Sequence, residues 1–219
     1  MRLLLTSGGL TNESIISHLN GLTGSPFNQL NLAFIPTASN LESGDKWWLL
    51  KDLEIIRKLK FKSIDLVDIS ALPVSIWKKR LEEADVLLFE GGNTFHLNYW
   101  VHQSGLNKLL PKLLSSRVYI GISAGTIIMT PSLILSSSEK EPLKEIGEEI
   151  IERGLGLVDF LIEPHINSRY FPELTFDHIE KQARKIPYTI YALDDNSAVQ
   201  FDNGNVKVIS EGEWKRLHK

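Results

Sequence analysis

The chain has 219 residues, of which 42% are hydrophobic and 23% charged, a composition typical of a soluble globular protein. Its formal net charge of −3 gives no basic field, which argues against nucleic acid as a partner. The chain contains no cysteine, so disulfides, thiol catalysis and cysteine-bound metals are excluded. The length suits one domain over residues 1–219.

The N-terminal segment has one charge and three leucines before a glycine pair, an apolar run too short for the core of a signal peptide. It is better explained as the first strand of a sheet. No other apolar run approaches the roughly 20 residues that span a bilayer. We therefore predict a cytoplasmic protein with no membrane partner, in agreement with the absence of cysteine.

Short apolar runs alternate with longer amphipathic segments over the first 125 residues. Most runs are rich in Leu, Ile and Val on both faces, which is typical of parallel strands covered by helices on both sides. The predicted strands are Arg2–Thr6, Asn31–Pro36, Ser63–Val67, Val86–Phe89 and Val118–Ile122. The predicted helices are Asn12–Leu19, Asp45–Leu59 with Asp45 as its cap, Pro73–Glu82, Thr94–Val101 and Leu106–Leu114.

This alternation predicts an α/β fold, a three-layer α/β/α sandwich with a mostly parallel sheet. Ligands of such sheets bind beyond the carboxyl ends of the strands. Glycine-rich segments leave two of those ends, at Thr6-Ser-Gly-Gly9 and at Glu90-Gly-Gly-Asn-Thr94. A third such segment follows Val118–Ile122, so the three are expected to border one cleft.

The last third of the chain is less regular. The polar stretch Ser136–Glu149 predicts an exposed loop followed by a helix. Further predicted elements are the strand Asp159–Glu163, the helix Pro172–Lys185 and the strands Tyr188–Leu193, Ala198–Phe201 and Val206–Ile209. The last two strands flank Asp202-Asn-Gly-Asn205, a turn sequence typical of a hairpin, so the C-terminal strands are expected to be antiparallel.

The most informative motif is Gly121-Ile-Ser-Ala-Gly125, which lies between a predicted strand and the helical run Thr126–Thr130. Strand, G-x-S-x-G and helix in this order are typical of a nucleophile elbow. The glycines leave room where neighbouring backbone crosses, and the N–H groups that open the helix face a developing oxyanion. The motif therefore predicts Ser123 as a nucleophile, and an ordinary strand-to-helix turn is the alternative.

A serine nucleophile needs a general base. His165 follows a predicted strand and Pro164, in a loop at a strand's carboxyl end, where scaffolds place catalytic groups. It is the candidate base, and a loop histidine bonded to local backbone is the alternative. The remaining histidines lie in helical or terminal polar surroundings and are expected to be solvated: His18, His96, His102, His178 and His218.

A carboxylate is expected to orient the base. Asp194 and Asp195 follow a predicted strand, and neighbouring strand residues point to opposite sides, so at most one can face His165. Turn formation is their alternative role. Glu90 and Glu163 are competing carboxylates near strand ends.

The candidate oxyanion donors are the N–H of Ala124 and the backbone of Gly91-Gly92. A helix-start turn capped by Asn93 or Thr94 is the alternative for the latter segment. The histidines lack the H-x-x-x-H spacing of metal sites, so neither a metal nor a cofactor is predicted.

Taken together, these motifs resemble the peptidase E family, which contains aspartyl dipeptidases and, more distantly, cyanophycinases. The resemblance is carried by Gly91-Gly-Asn-Thr-Phe95, the elbow, Pro164-His165 and the acidic turn at Asp195, and it extends to Phe34-Ile-Pro-Thr-Ala38. It implies a fold similar to class I glutamine amidotransferases.

The resemblance also implies site residues. It implies Ser123 as nucleophile, His165 as base and an oxyanion held by the backbone of Gly92 and Ala124. Asp195 is the first choice for the third member of a Ser-His-Asp triad, and Asp194 is the second.

The sequence departs from the family at one position. The arginine that pairs with the substrate's side-chain carboxylate in aspartyl dipeptidases aligns near His178, and neither Arg169 nor Arg184 matches that position well. Strict specificity for Asp-X peptides is therefore not predicted. His178 and Arg169 are kept as candidate substrate-binding residues, with the Gly91–Asn93 segment.

The sequence thus predicts a serine peptidase that hydrolyses small peptides in the manner of a dipeptidase, through an acyl-enzyme. Two alternatives stay open: a hydrolase of another small amide or ester, and a non-catalytic binding module with the same fold. Trp47 and Trp48 at a helix start are compatible with a homodimer interface, a lid or core packing.

Overall fold

The computed structural model of the protein describes residues 1–218. Its strands are β1 Arg2–Thr6, β2 Asn31–Ile35, β3 Ser63–Leu66, β4 Val86–Phe89, β5 Val118–Ile122, β6 Leu161–Glu163, β7 Ile190–Leu193, β8 Ser197–Asp202, β9 Asn205–Ser210 and β10 Trp214–Leu217. Its helices are α1 Glu13–Thr23, α2 Thr37–Asn40, α3 Trp47–Lys58, α4 Val74–Glu83, α5 Thr94–Gln103, α6 Leu106–Leu113, α7 Ala124–Ile127, α8 Glu141–Glu145 and α9 Phe176–Ala183.

Seven strands form the main sheet in the order β3-β2-β4-β5-β1-β8-β9. The first five of these pair in parallel, with Leu4 opposite Ile120 at the centre. Strands β8 and β9 add an antiparallel edge, joined by a hairpin turn in which Asn203 and Gly204 both have positive φ. The predicted mostly parallel α/β sheet with antiparallel C-terminal strands is therefore confirmed.

Alternation along the parallel strands divides the core into two layers. Leu3 and Leu5 of β1 face the layer that includes Trp77 of α4, whereas Leu4 faces the layer that includes Ile15 of α1 and residues of α3. Because both faces are covered, the strands carry apolar side chains at nearly every position. Burying one such leucine contributes roughly 1.5–3 kcal/mol.

Strands β6, β7 and β10 form a separate three-stranded sheet in the order β10-β7-β6. The sequence predicted Asp159–Glu163 and Tyr188–Leu193 as strands but gave no sign that they leave the main sheet. It also missed β10, whose residues are mostly exposed and lack an apolar run. The second sheet brings the residues that follow β6 and β7 into contact with the residue that follows β1.

Three local predictions were wrong. Asp45 does not cap α3, which begins two residues later with no side-chain cap bond. The helix after the elbow was predicted over Thr126–Thr130, but α7 covers Ala124–Ile127, so its bounds were wrong. His96 is 6% exposed and paired with the buried Glu148 at 2.7 Å, so it is a core histidine.

The stretch Ser136–Glu149 is held against α5. The side chain of Asn93 donates to the carbonyl of Glu139 at 2.8 Å, and the N–H of Thr94 donates to Ser138 Oγ at 3.0 Å. The stretch contains the predicted helix as the short α8, with Leu143 fully buried. Across residues 1–218, none of the helices has the length and apolarity needed to cross a membrane.

Candidate active site

Ser123 sits at a sharp bend between β5 and α7, with φ of 48° and ψ of −103°. This conformation is unusual for a residue with a side chain and marks local strain, which surrounding contacts hold in place. The N–H of Ser123 donates to the carbonyl of Thr6 at 3.2 Å, and the carbonyl of Gly125 accepts from the hydroxyl of Tyr119 at 2.6 Å. A methyl group at Gly125 would clash with the carbonyl of Phe89, so the motif's last glycine is sterically required.

His165 lies beside Ser123, with 2.8 Å between His165 Nε2 and Ser123 Oγ. It follows β6 and has a positive φ of 62°. Its N–H donates to Ser7 Oγ at 2.8 Å. The ring of Phe171 stacks on the imidazole, with 4.6 Å between the ring centroids and 12° between the ring planes. Ser7 and Phe171 thus fix both the backbone and the ring plane of His165.

Asp195 meets the other ring nitrogen, with 2.6 Å between its Oδ1 and His165 Nδ1. Burial opposes ionisation of this carboxyl, but hydrogen bonds from His165, Ser168 and Ser7 outweigh it and hold the pKa of Asp195 below its usual value. The group is therefore a carboxylate at neutral pH. Ser123, His165 and Asp195 form one continuous hydrogen-bonded chain.

Asp194 points elsewhere and organises the turn after β7. Its Oδ1 accepts from the hydroxyl of Ser197 at 2.6 Å and from the N–H of Asn196 at 3.0 Å, and its Oδ2 accepts from the N–H of Glu213 at 2.7 Å. These bonds use both carboxylate oxygens, and none involves His165. Of the two neighbouring aspartates, the structure brings only Asp195 to the histidine.

The glycine pair after β4 lies against the elbow. A methyl group at Gly91 would be 3.5 Å from Ser123 Cβ, and Gly92 has φ of 125° with no room for a Cβ beside the carbonyl of Ala38. Within residues 1–218, the backbone N–H groups of Gly92 and Ala124 donate to no backbone or side-chain acceptor. Unused donors beside a serine hydroxyl can stabilise an oxyanion.

Asn93 was a candidate substrate-binding residue, but within residues 1–218 it is not part of the cavity lining. Its side chain is 2% exposed and caps α5 by accepting from the N–H groups of Phe95 and His96, both at 3.1 Å. This corresponds to the capping alternative considered for the glycine-rich segment.

A cavity of about 710 Å³ opens over Ser123. Among the predicted site residues, Gly91, Gly92, His165, Arg169 and Asp195 also line it. Trp47 and Trp48 lie in its wall, and the Trp47 ring is 5.0 Å from that of Tyr170. A homodimer stays a prediction.

His178 lies on the exposed face of α9, where it contacts Gln182, and it is not part of the cavity lining. Arg184 lies at the end of the same helix and is also outside the lining. Arg169 does line the cavity, and its guanidinium lies over the Tyr170 ring at 4.6 Å.

Two buried carboxyl groups, those of Asp52 and Glu90, lie side by side in the cavity wall; the residues are 6% and 0% exposed. Glu90 Oε1 accepts from the N–H of Gly91 at 3.0 Å, whereas Glu90 Oε2 has no donor within residues 1–218 unless one carboxyl is protonated. Burial and the charge of Asp52 raise the pKa of Glu90 well above its usual value, and burial raises the pKa of Asp52 to about 7. The pair therefore shares a proton at neutral pH.

Glu163 is a third buried carboxyl in the cavity wall, 3% exposed at the end of β6. Burial raises its pKa well above the usual value. Neither Glu163 nor Glu90 bonds to His165 within residues 1–218, so the carboxylate beside the imidazole is that of Asp195.

Replacing Asp52 with asparagine is expected to stabilise the protein more at pH 8 than at pH 4. The pKa of this carboxyl is raised from 3.8 to about 7 by folding, so the folded protein binds more protons between these values. The free energy of unfolding then falls as pH rises through this window, by up to about 4 kcal/mol from this group. Asp52→Asn removes that fall, which chemical denaturation at pH 4, 6 and 8 measures.

Glu54→Gln is the matched control, since Glu54 lies on the exposed side of the same helix. It should differ little from the wild type across the same range. A stability difference between Asp52→Asn and the wild type that stays constant from pH 4 to pH 8 would contradict the raised pKa.

Sequence reasoning missed several residues that shape this site. Ser7 lies in a segment that was recognised only for its glycines. Asp52 carried a usable signal, because it lies one turn before Ile56 on the apolar face of α3. Phe171 and Ser168 carried none, since their role depends on how the loop after His165 folds back.

Comparison with known proteins identifies the family of the chain. The model of peptidase family S51 matches residues 3–209. An uncharacterized peptidase from Listeria monocytogenes is 29% identical over 77% of this chain and 80% of the relative's length. An uncharacterized peptidase from Listeria innocua is 31% identical over 66% of this chain and 68% of the relative's length. A protein named peptidase E from Nostoc sp. is 30% identical over 64% of this chain and 54% of its own.

The fold is shared with a solved structure. The crystal structure of a Listeria monocytogenes protein assigned to peptidase E superposes with a TM-score of 0.81 at 24% identity, covering 96% of this chain and 98% of that one. The chain belongs to peptidase family S51. It is a peptidase by family and by the names of its relatives, and the predicted resemblance to peptidase E is confirmed.

Proposed function

We propose that the protein is a serine peptidase that hydrolyses short peptides through a Ser123-His165-Asp195 triad. The observation that carries the proposal is the unbroken hydrogen-bonded chain from Ser123 Oγ through both nitrogens of His165 to Asp195, with distances of 2.8 and 2.6 Å. A strained elbow at the nucleophile and unused N–H donors beside it add support.

In this proposal, Ser123 Oγ attacks the scissile carbonyl carbon while His165 Nε2 takes the hydroxyl proton. The oxyanion accepts hydrogen bonds from the N–H groups of Gly92 and Ala124. His165 then gives the proton to the departing amine, which leaves an acyl-enzyme. Water, deprotonated by the same histidine, releases the acid, and Asp195 holds the tautomer throughout.

The cavity favours a small substrate. A volume of about 710 Å³ suits a few residues of peptide. We therefore propose dipeptide-like substrates, with the residues 1–219 acting as one catalytic domain in the cytoplasm.

Hydrolysis of a library of X-Ala dipeptides by the purified protein and by Ser123→Ala tests this function. The proposal expects release of free amino acids by the wild type and none above background by the variant. Cleavage of small esters or non-peptide amides alone would instead favour another small hydrolase. No turnover of any substrate by folded protein would favour a non-catalytic module.

A further inference from the structure

We propose that the Asp52–Glu90 pair binds a primary ammonium group of the substrate. The inference rests on the proposed function and names the chemistry that its substrates share. A free peptide N-terminus and a lysine side chain both supply such a group, and two separate probes distinguish these sources.

The pair lies next to the nucleophile. Glu90 directly precedes Gly91, where a methyl group would be 3.5 Å from Ser123 Cβ. A methyl group at Gly9 would be 3.0 Å from Asp52 Oδ1 and 3.4 Å from the Cδ1 atom of Ile122, the residue before Ser123. Asp52 and Glu90 also line the same cavity as Ser123.

Apart from the hydrogen bond between its two carboxyls, the pair has no ion-pair partner among residues 1–218. Buried carboxylates in proteins are normally paired or hydrogen-bonded. Within residues 1–218, no Lys, Arg or His forms an ion pair with Asp52 or Glu90, and Glu90 Oε2 has no donor apart from a shared proton. An ammonium group brings a positive charge and three donors, which are what the two carboxyls lack.

Few cationic side chains in the cavity lining compete with a ligand for the pair. The lining includes six carboxyl side chains but only two from lysine or arginine. One of the latter, Arg169, is stacked on Tyr170, and the other is Lys51 beside Asp52.

Ammonium binding should displace the proton that the pair holds. Affinity for a cationic ligand is then expected to rise between pH 5.5 and pH 7, because fewer protons compete for the carboxyls. The charged and titratable groups that face the pair or share its cavity are Lys51, Glu42, Glu139, Glu163, His165, Arg169, Tyr170 and Asp195.

Calorimetric binding to Ser123→Ala protein tests the inference without turnover. The probes are norleucine amide, which has an α-ammonium, Nα-acetyl-lysine amide, which has a side-chain ammonium, and Nα-acetyl-norleucine amide, which has none. We expect at least one ammonium probe to bind at least about tenfold more tightly than the neutral one, with proton release at pH 7. The first probe reports a free N-terminus and the second a lysine.

Asp52→Asn and Glu90→Gln, each in the Ser123→Ala background, should reduce that preference at least about tenfold. Glu54→Gln in the same background removes one charge from the exposed side of α3 and should preserve the preference. In active protein, the kcat/KM ratio for Nle-Ala over acetyl-Nle-Ala, or for acetyl-Lys-Ala over acetyl-Nle-Ala, should fall in the same two variants.

Equal binding of all three probes, or a preference that survives both substitutions in folded protein, would overturn the inference. Failure of the proposed function looks different. In that case ammonium probes would still bind through the pair, but no peptide would be hydrolysed in a Ser123-dependent manner. Conversely, Ser123-dependent hydrolysis without any preference for an ammonium group would support the proposed peptidase function and reject only the ammonium site.

Discussion

His165→Ala is expected to lower kcat for peptide hydrolysis by roughly 10³- to 10⁶-fold, the range found when a catalytic triad is broken. His165 Nε2 is 2.8 Å from Ser123 Oγ, and no other imidazole lies in the cavity lining. The serine hydroxyl would then lose its proton acceptor, and the departing amine its proton donor. Steady-state kinetics on the best dipeptide of the library measures the loss.

The matched control is His178→Ala, because His178 is an exposed histidine outside the cavity. It should retain kcat within about twofold, as surface substitutions usually do. A loss of less than about tenfold in folded His165→Ala protein would show that another group removes the proton, and the proposed mechanism would fail.

Asp195→Asn is expected to lower kcat by about 10⁴-fold, because an amide can hold the imidazole in the wrong tautomer and cannot stabilise the imidazolium. Asp194→Asn is the matched comparison, since it makes the same change at the adjacent residue. Asp194 accepts hydrogen bonds from Ser197, Asn196 and Glu213, so its substitution should act on stability. A loss of a few kcal/mol is expected.

Kinetics and thermal unfolding of the two variants, measured side by side, separate these effects. We expect a large fall in kcat with a small change in Tm for Asp195→Asn and the reverse for Asp194→Asn. Equal and mild effects on kcat would indicate that neither aspartate orients the base.

The elements of the fold that could be predicted are those with a local sequence pattern. Strands β1, β4 and β5 were predicted to the residue, because each is a short apolar run bounded by turn residues. Strand β10 is a contrasting case, since its exposed sequence Trp214-Lys-Arg-Leu217 acquires its structure only by pairing with β7. That pairing depends on tertiary structure, and the sequence of β10 has no alternating apolar pattern that would predict it.

The site likewise contains residues that a local motif predicts and residues that only the tertiary structure identifies. Ser123 and His165 could be proposed because each follows a strand in a short motif whose geometry is local. The sequence ranked Asp195 above Asp194 only through the family resemblance, since which of the two faces His165 depends on the direction of one turn. The pairing of Asp52 with Glu90 joins a helix to a strand end 38 positions away in sequence, so only the structure shows it.

Covalent labelling by a fluorophosphonate, located by peptide mass spectrometry, tests the central claim most directly. We predict one adduct per chain on Ser123, no adduct there in Ser123→Ala, and much slower labelling in His165→Ala. Folded wild-type protein that remains unlabelled at Ser123, or that labels equally fast without the imidazole of His165, would contradict an activated serine at this elbow.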